Sequence, residues 1–281
     1  MNKRIAASLL FLSTSLWASP EIIAHRGGTG DAPENTLPAI KLALQNQAQA
    51  IWITVQLSRD GVPVLYRPSD LQALTSMKGK VSAYTAAELT TFNAGTKWKE
   101  TIADATIPTL KAVLEQWPET RFFIDIKSPD AAPEEMAKQL TATLQETNSL
   151  QRVRVYSTED RYLDALPPTV PRFVTRSETR TRLANISLNH LCDAPAKTMD
   201  EYWYGLELNR KVEIVEKFTL GEGISPATLT WDKEAMTCFR SQGNAHIILL
   251  GINASKDFQT AKMLGADGVV VDSPAQASQW H

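Results

Sequence analysis

An α/β protein built on a parallel sheet, of the size of a (β/α)8 barrel, is the fold class the sequence predicts, and three observations carry it. Short β-rich runs alternate with helical patterns along the chain, the arrangement that gives parallel strands with helical crossovers. The chain has 281 residues, and a signal-like front would leave about 260, close to the size of one such barrel. No internal repeat, low-complexity tract or linker divides it, so residues 19–281 read as one domain.

The elements follow in order. Glu21–His25 is the first strand, and Leu37–Gln47 has a helical pattern. Ala50–Leu57 and Val62–Tyr66 are β-rich. Thr109–Gln116 is helical, Arg121–Lys127 a strand. Pro133–Thr147 opens with Pro133, Glu134 and Glu135, a favourable first helical turn. Val153–Tyr156 and Arg172–Val174 are further strands. One more falls at Tyr202–Leu208 or Val212–Phe218. His246–Gly251 and Gly268–Val271 close the series around a helix at Ser255–Leu264. Residues 62–108 are the longest break in the alternation and read as an insertion. The alternation itself leaves open whether the sheet closes into a barrel.

Hydrophobic residues at 43% provide ample core, and a formal net charge of −2 offers no basic field for nucleic acid or anionic membrane. Residues 1–18 read as a cleaved signal peptide: Lys3 and Arg4 precede an apolar run from Ile5 to Trp17, and Ala18 supplies a small residue for cleavage. The run is too short for a comfortable bilayer span, so the expectation is a periplasmic or secreted protein without a transmembrane anchor. Cys192 and Cys238 can pair in an oxidising compartment or remain buried thiols; export tilts the choice towards a disulfide, and spacing does not decide it.

In a barrel the chemistry lies at the C-terminal ends of the strands. The first strand ends in Ala24-His25-Arg26-Gly27-Gly28. Arg offers a forked donor to phosphate oxygens, and His moves protons near neutral pH. Taken alone, the pair is also what a capped strand end with a solvated Arg looks like.

Further motifs accompany it. Ile22 to Gly28 with Ala32-Pro33-Glu34-Asn35-Thr36 resembles the opening signature of the glycerophosphodiester phosphodiesterase family. Leu57 to Val64, Asn93-Ala94-Gly95, Ile107 to Leu110, Phe123 to Lys127, Gly265 to Gly268 and Asp272-Ser273-Pro274 are similar to later parts of the same family, in the same order. The resemblance implies a (β/α)8 TIM barrel with a small insertion after the second strand. It also implies a family reaction, hydrolysis of glycerophosphodiesters to glycerol 3-phosphate and an alcohol, with Mg²⁺ or Ca²⁺ as cofactor.

The chain departs from that pattern where the family holds its metal. His25 matches the first catalytic histidine. The strand-two acidic pair falls on Trp52 and Thr54, and the second histidine, with the Asp that follows it, on Arg67 and Pro68. The third acidic ligand falls on Asp125, the one residual metal candidate, followed by the family's Lys as Lys127. Hard divalent cations want several oxygen ligands, usually more than one carboxylate, so no cofactor is assigned.

The resemblance thus implies His25 and Arg67 as catalytic candidates, Arg26 and Lys127 as phosphate-binding residues, and Glu34 and Asn35 as braces of the loop. All of these cations, with Asp125, are expected to meet at the C-terminal mouth of the barrel. Arg67 puts a fixed cation where relatives have an imidazole, and bacterial phosphatidylinositol-specific phospholipases C, which resemble this barrel, use an arginine where relatives use a metal. His190, His246 and His281, and the aromatics Tyr202, Trp203, Tyr204 and Trp231, read as surface or packing residues. Three functions remain on these residues: a phosphodiesterase of impaired or altered activity, a non-catalytic binder of a small phosphodiester or phosphate, and a metal-independent, Arg67-assisted phosphodiesterase.

Overall fold

The structure, a computed structural model, describes residues 19–99, 102 and 104–280. The expected signal segment at 1–18 and His281 lie outside the described residues.

The barrel strands are β1 (Glu21–His25), β2 (Ala50–Leu57), then, after a short antiparallel β3 (Pro63–Leu65), β4 (Arg121–Ile126), β5 (Val153–Ser157), β6 (Tyr202–Glu207), and, beyond a separate hairpin of β7 (Asn209–Phe218) and β8 (Gly221–Thr230), β9 (Ala245–Leu250) and β10 (Gly268–Val271). Seven run parallel in the order β5-β4-β2-β1-β10-β9-β6. The eighth position is the extended stretch 171–174. Val155 N donates to Pro171 O (2.9 Å), Phe173 N to Val155 O (2.9 Å) and Val174 N to Trp203 O (2.8 Å), which closes β5 onto β6. The sheet is therefore a closed (β/α)8 barrel, as expected. The strand foreseen at Arg172–Val174 exists only as this bridging stretch.

Helices α1 (Leu37–Gln45), α2 (Ala86–Leu89), α3 (Leu110–Gln116), α4 (Pro133–Glu146), α5 (Asp160–Asp164), α6 (Arg176–Asn189), α7 (Lys233–Ser241), α8 (Ser255–Leu264) and α9 (Pro274–Ala277) complete the described chain. Several begin where capping chemistry predicts: the side chains of Thr36, Thr109, Thr175 and Asp232 each accept a backbone N–H of the first turn. None is long and apolar enough to cross a membrane.

The insertion after β2 is present. β3 folds back on β2, and Val64, Tyr66, Leu71, Val81, Leu89 and Ile107 form its own small core. A second departure was not foreseen. The choice between Tyr202–Leu208 and Val212–Phe218 resolves as both, but only the former joins the barrel. The latter is β7, which pairs with β8 in a two-stranded arm. Cys192 and Cys238 are joined as a disulfide that ties the segment after α6 to α7.

The lumen is filled largely by rings. Trp52, Phe123, Tyr156, Phe173 and Trp203 pack with Ile23, Ile248 and Val270 as one buried cluster. Such edge-to-face packing adds to the burial of the rings themselves. Gly205 makes room for it: a Cβ there would come within 3.3 Å of both Phe173 and Tyr156. Trp52 is part of this apolar floor beneath the mouth.

Candidate functional site

A cavity of about 250 Å³ opens at the C-terminal mouth, lined by His25, Arg26, Trp52, Arg67, Asp125 and Lys127 on one side and Tyr156, Thr158, Arg176 and Glu207 on the other. All five residues expected to converge there do so. Larger hollows, such as one of about 650 Å³ between α5 and α6, lie away from the strand ends that carry these groups.

His25 is the last residue of β1. Its Nδ1 lies 2.6 Å from Asp272 Oδ1, and its Nε2 accepts from Arg26 Nε at 3.2 Å. An accepting Nε2 puts the imidazole proton on Nδ1, donated to Asp272. Asp272 is itself fixed by Asn253, whose Nδ2 donates to Oδ2 at 2.6 Å and whose Oδ1 accepts Asp272 N at 2.8 Å. The hydrogen bond from His25 outweighs partial burial, and with Thr29 and Asn253 it holds the Asp272 carboxyl down at about 2. His25 thus lies on the cavity with Nδ1 held by a carboxylate and Nε2 in contact with Arg26. Asp272 was read only as part of a family motif, and the structure gives it, with Asn253, this positioning role.

Arg26 sits in left-handed backbone (φ 50°) and pairs through Nη1 with Glu34. Asn35, also left-handed (φ 58°), accepts Thr54 N at 2.9 Å and so pins the loop to β2. Glu34 and Asn35 thus make contacts within the loop and to β2, and the charge of Arg26 is partly balanced by Glu34. Arg67 follows β3, is exposed, and has no ion-pair partner among the described residues.

Asp125, at the end of β4, forms an ion pair with Lys127 at 3.1 Å, and Lys127 Nζ also donates to Thr158 Oγ1 at 2.8 Å. Burial pushes the Asp125 carboxyl up, and Lys127 opposes it. Thr54 does not line the cavity. The set does not fit a hard divalent cation. Asp125 is engaged by the Lys127 ammonium, Trp52 adds an indole beside it, and Asp272 and Glu34 are paired with His25 and Arg26. No group of three His, Cys, Asp or Glu among the described residues is arranged to hold a metal.

Sequence reasoning missed the far wall. Arg176, the first residue of α6, donates from Nη1 to the Tyr156 hydroxyl at 2.7 Å and from Nη2 to both Glu207 oxygens at 2.7 and 2.8 Å. Arg210 adds a 3.1 Å bond to Glu207 Oε1. Burial works against the Glu207 charge, but its own backbone N–H, Arg176 and Arg210 outweigh it and hold the carboxyl below its ordinary value. Burial raises the Tyr156 phenol. His246 stacks on Trp203 at the start of β9, at the opposite end of the barrel, and His190 caps α6 and bonds Glu234.

Fold and strand-end residues together define a (β/α)8 barrel with a cation-rich mouth around a histidine held by a carboxylate. Residues 25–276 match the model of the glycerophosphoryl diester phosphodiesterase family, and the chain belongs to that family. It is 39% identical to the uncharacterized protein Rv2277c of Mycobacterium tuberculosis, over 93% of this chain and 90% of that one. The crystal structure of the glycerophosphoryl diester phosphodiesterase domain of Rv2277c superposes with a TM-score of 0.84 at 38% identity, covering 93% of this chain and 99% of that domain. A glycerophosphodiester phosphodiesterase of Caldanaerobacter subterraneus is 34% identical over 48% of this chain and 57% of its own length. An Oleispira antarctica phosphodiesterase solved with the product sn-glycerol-3-phosphate shares the fold, with a TM-score of 0.63 at 22% identity over 92% of this chain and 96% of that one.

Proposed function

We propose that the mouth binds the phosphate of a small glycerophosphodiester and cleaves it without a divalent metal, with His25 as base. The observation that carries this reading is the His25–Asp272 pair facing the same cavity as Arg67 and Lys127. A phosphodiester anion would meet Arg67 in a forked contact, with Lys127 and Arg26 adding charge. His25 Nε2 would exchange its long Arg26 contact for the attacking hydroxyl, from water or from the glycerol itself, and take up its proton. The new O–P bond forms as the bond to the alcohol breaks, and the departing oxygen takes a proton from solvent to give the free alcohol. Water as nucleophile leaves glycerol phosphate, and the glycerol hydroxyl leaves a cyclic phosphate, with the proton taken up by His25 returned to solvent. The Arg67 guanidinium, exposed and without an ion-pair partner among the described residues, supplies phosphoryl charge stabilisation of the kind a metal gives elsewhere.

A second reading, a non-catalytic phosphodiester binder, has its own support: both strand-two acids and the second histidine are replaced, by Trp52, Thr54 and Arg67. Turnover of glycerophosphocholine with and without chelator separates the two. Chelator-resistant turnover supports the first reading and saturable binding without turnover the second. Chelator-sensitive turnover removes the metal-free account.

We infer also that the chain is exported. The basic start, apolar run and Ala18 support this, as does the Cys192–Cys238 bond, which persists in oxidising compartments. A mature protein whose N-terminal sequence begins at Met1 would overturn it.

A further inference from the structure

We propose that the Tyr156 hydroxyl is a ligand-binding donor of the site, giving its proton in a hydrogen bond to a phosphoryl oxygen of the bound ester. This rests on the reading of the mouth as a phosphate site and adds a neutral donor on the wall away from His25.

The argument is one of donor accounting. A tyrosine hydroxyl has one proton to give and lone pairs to accept with. Arg176 Nη1 donates to Tyr156 at 2.7 Å, so that contact uses a lone pair and leaves the proton uncommitted. No acceptor for that proton occurs among the hydrogen bonds of the described residues, although the residue is only 2% exposed. A buried hydroxyl lacking an acceptor is costly unless something supplies one. Tyr156 lines the cavity with Arg176, Thr158 and Glu207, and Asp125 is its register neighbour on β4. Asp125 is engaged by Lys127, and no hydrogen bond joins it to the Tyr156 hydroxyl. Glu207 is taken by Arg176 and Arg210, and Thr158 by Lys127.

The ring is fixed as well. It stands edge-on to Trp52 at 5.0 Å and to Phe173 at 5.4 Å, so the hydroxyl is held where it is by packing rather than by the ligand. Arg176 is the positioning residue. Its Nη2 is gripped by Glu207, which largely neutralises it as an anion site while aiming Nη1 at the phenol oxygen. An arginine donating to a phenol oxygen also polarises its O–H bond and makes it a better donor.

Calorimetric binding of glycerol 3-phosphate tests the proposal without requiring turnover. Tyr156→Phe keeps the packed ring and removes only the hydroxyl. Loss of one hydrogen bond to a charged ligand predicts binding about ten- to a hundredfold weaker, with the thermal midpoint little changed. Glu207→Gln should weaken binding less, and its effect should vanish in the Tyr156→Phe background, since it acts through the aim of Arg176 on that hydroxyl. A merely structural Glu207 would weaken both backgrounds equally. Equal affinity of wild type and Tyr156→Phe would overturn the proposal and leave the phosphate site standing. Absence of wild-type binding would overturn both.

Discussion

The two walls of the barrel mouth place comparable polar groups by different means. On the His25 wall, β1 ends in His25, the loop after it supplies Arg26, Glu34 and Asn35, and the end of the chain's last strand brings Asp272 to the imidazole. Its groups are braced by loop backbone in left-handed conformation and by short contacts to neighbours. On the Tyr156 wall, three strand or helix ends each give one residue, and a chain of Tyr156, Arg176, Glu207 and Arg210 locks them over a floor of stacked rings. The first wall can take up a proton. The second holds its charges in pairs and offers a neutral donor. On the proposed reading, the His25 wall carries both the base and the cations that meet the phosphate, and the Tyr156 wall adds a neutral donor.

Removing the imidazole should break the first wall most severely. His25→Ala is expected to lower kcat/KM for glycerophosphocholine by about 10²–10⁴-fold, the usual worth of a general base, while leaving glycerol 3-phosphate affinity within a few fold. An equal loss in both quantities would mean that His25 binds rather than transfers protons.

Arg67→Ala should act on grip instead. A forked contact to a charged ligand is worth roughly 1.5–3 kcal/mol, so binding should weaken by about ten- to a hundredfold and become less sensitive to salt, which titration at two ionic strengths would reveal. Unchanged affinity would place the phosphate elsewhere in the mouth.

A smaller effect lies in acid. The Asp272 carboxyl is held at about 2 in the folded chain against 3.8 when free. Its contribution is therefore fully present above about pH 4 and is lost as pH falls through 2. The wild type should lose thermal stability across that window more steeply than Asp272→Asn, and parallel curves would contradict the His25–Asp272 coupling.

The His25 wall was legible in the sequence because its residues lie together, in a run whose order of types is distinctive: His25-Arg26-Gly27-Gly28, then Pro33-Glu34-Asn35. The barrel was legible because strand and helix periods are local. The Tyr156 wall was not, since Arg176 stands 20 residues from Tyr156 and 31 from Glu207, and none of the three sits in a motif. The only hint was that strand ends carry function, which applies to Tyr156 and Glu207 once strands β5 and β6 are bounded correctly. The arm of β7 and β8 was half seen for a related reason: Val212–Phe218 alternates like any strand, and sheet membership is decided by partners far along the chain. Helix α6 was missed because its polar, Thr- and Arg-rich sequence has little apolar periodicity.

Calorimetry of one wild-type sample with Mg²⁺ or Ca²⁺ and then with glycerol 3-phosphate tests the central claim most directly, that paired carboxylates and the unpaired Arg67 make the mouth an anion site rather than a metal site. The account predicts no saturable divalent binding up to millimolar concentration, followed by one-to-one binding of the phosphate ester that weakens with added salt. Stoichiometric divalent binding at micromolar concentration, with ester affinity that depends on the metal, would contradict it.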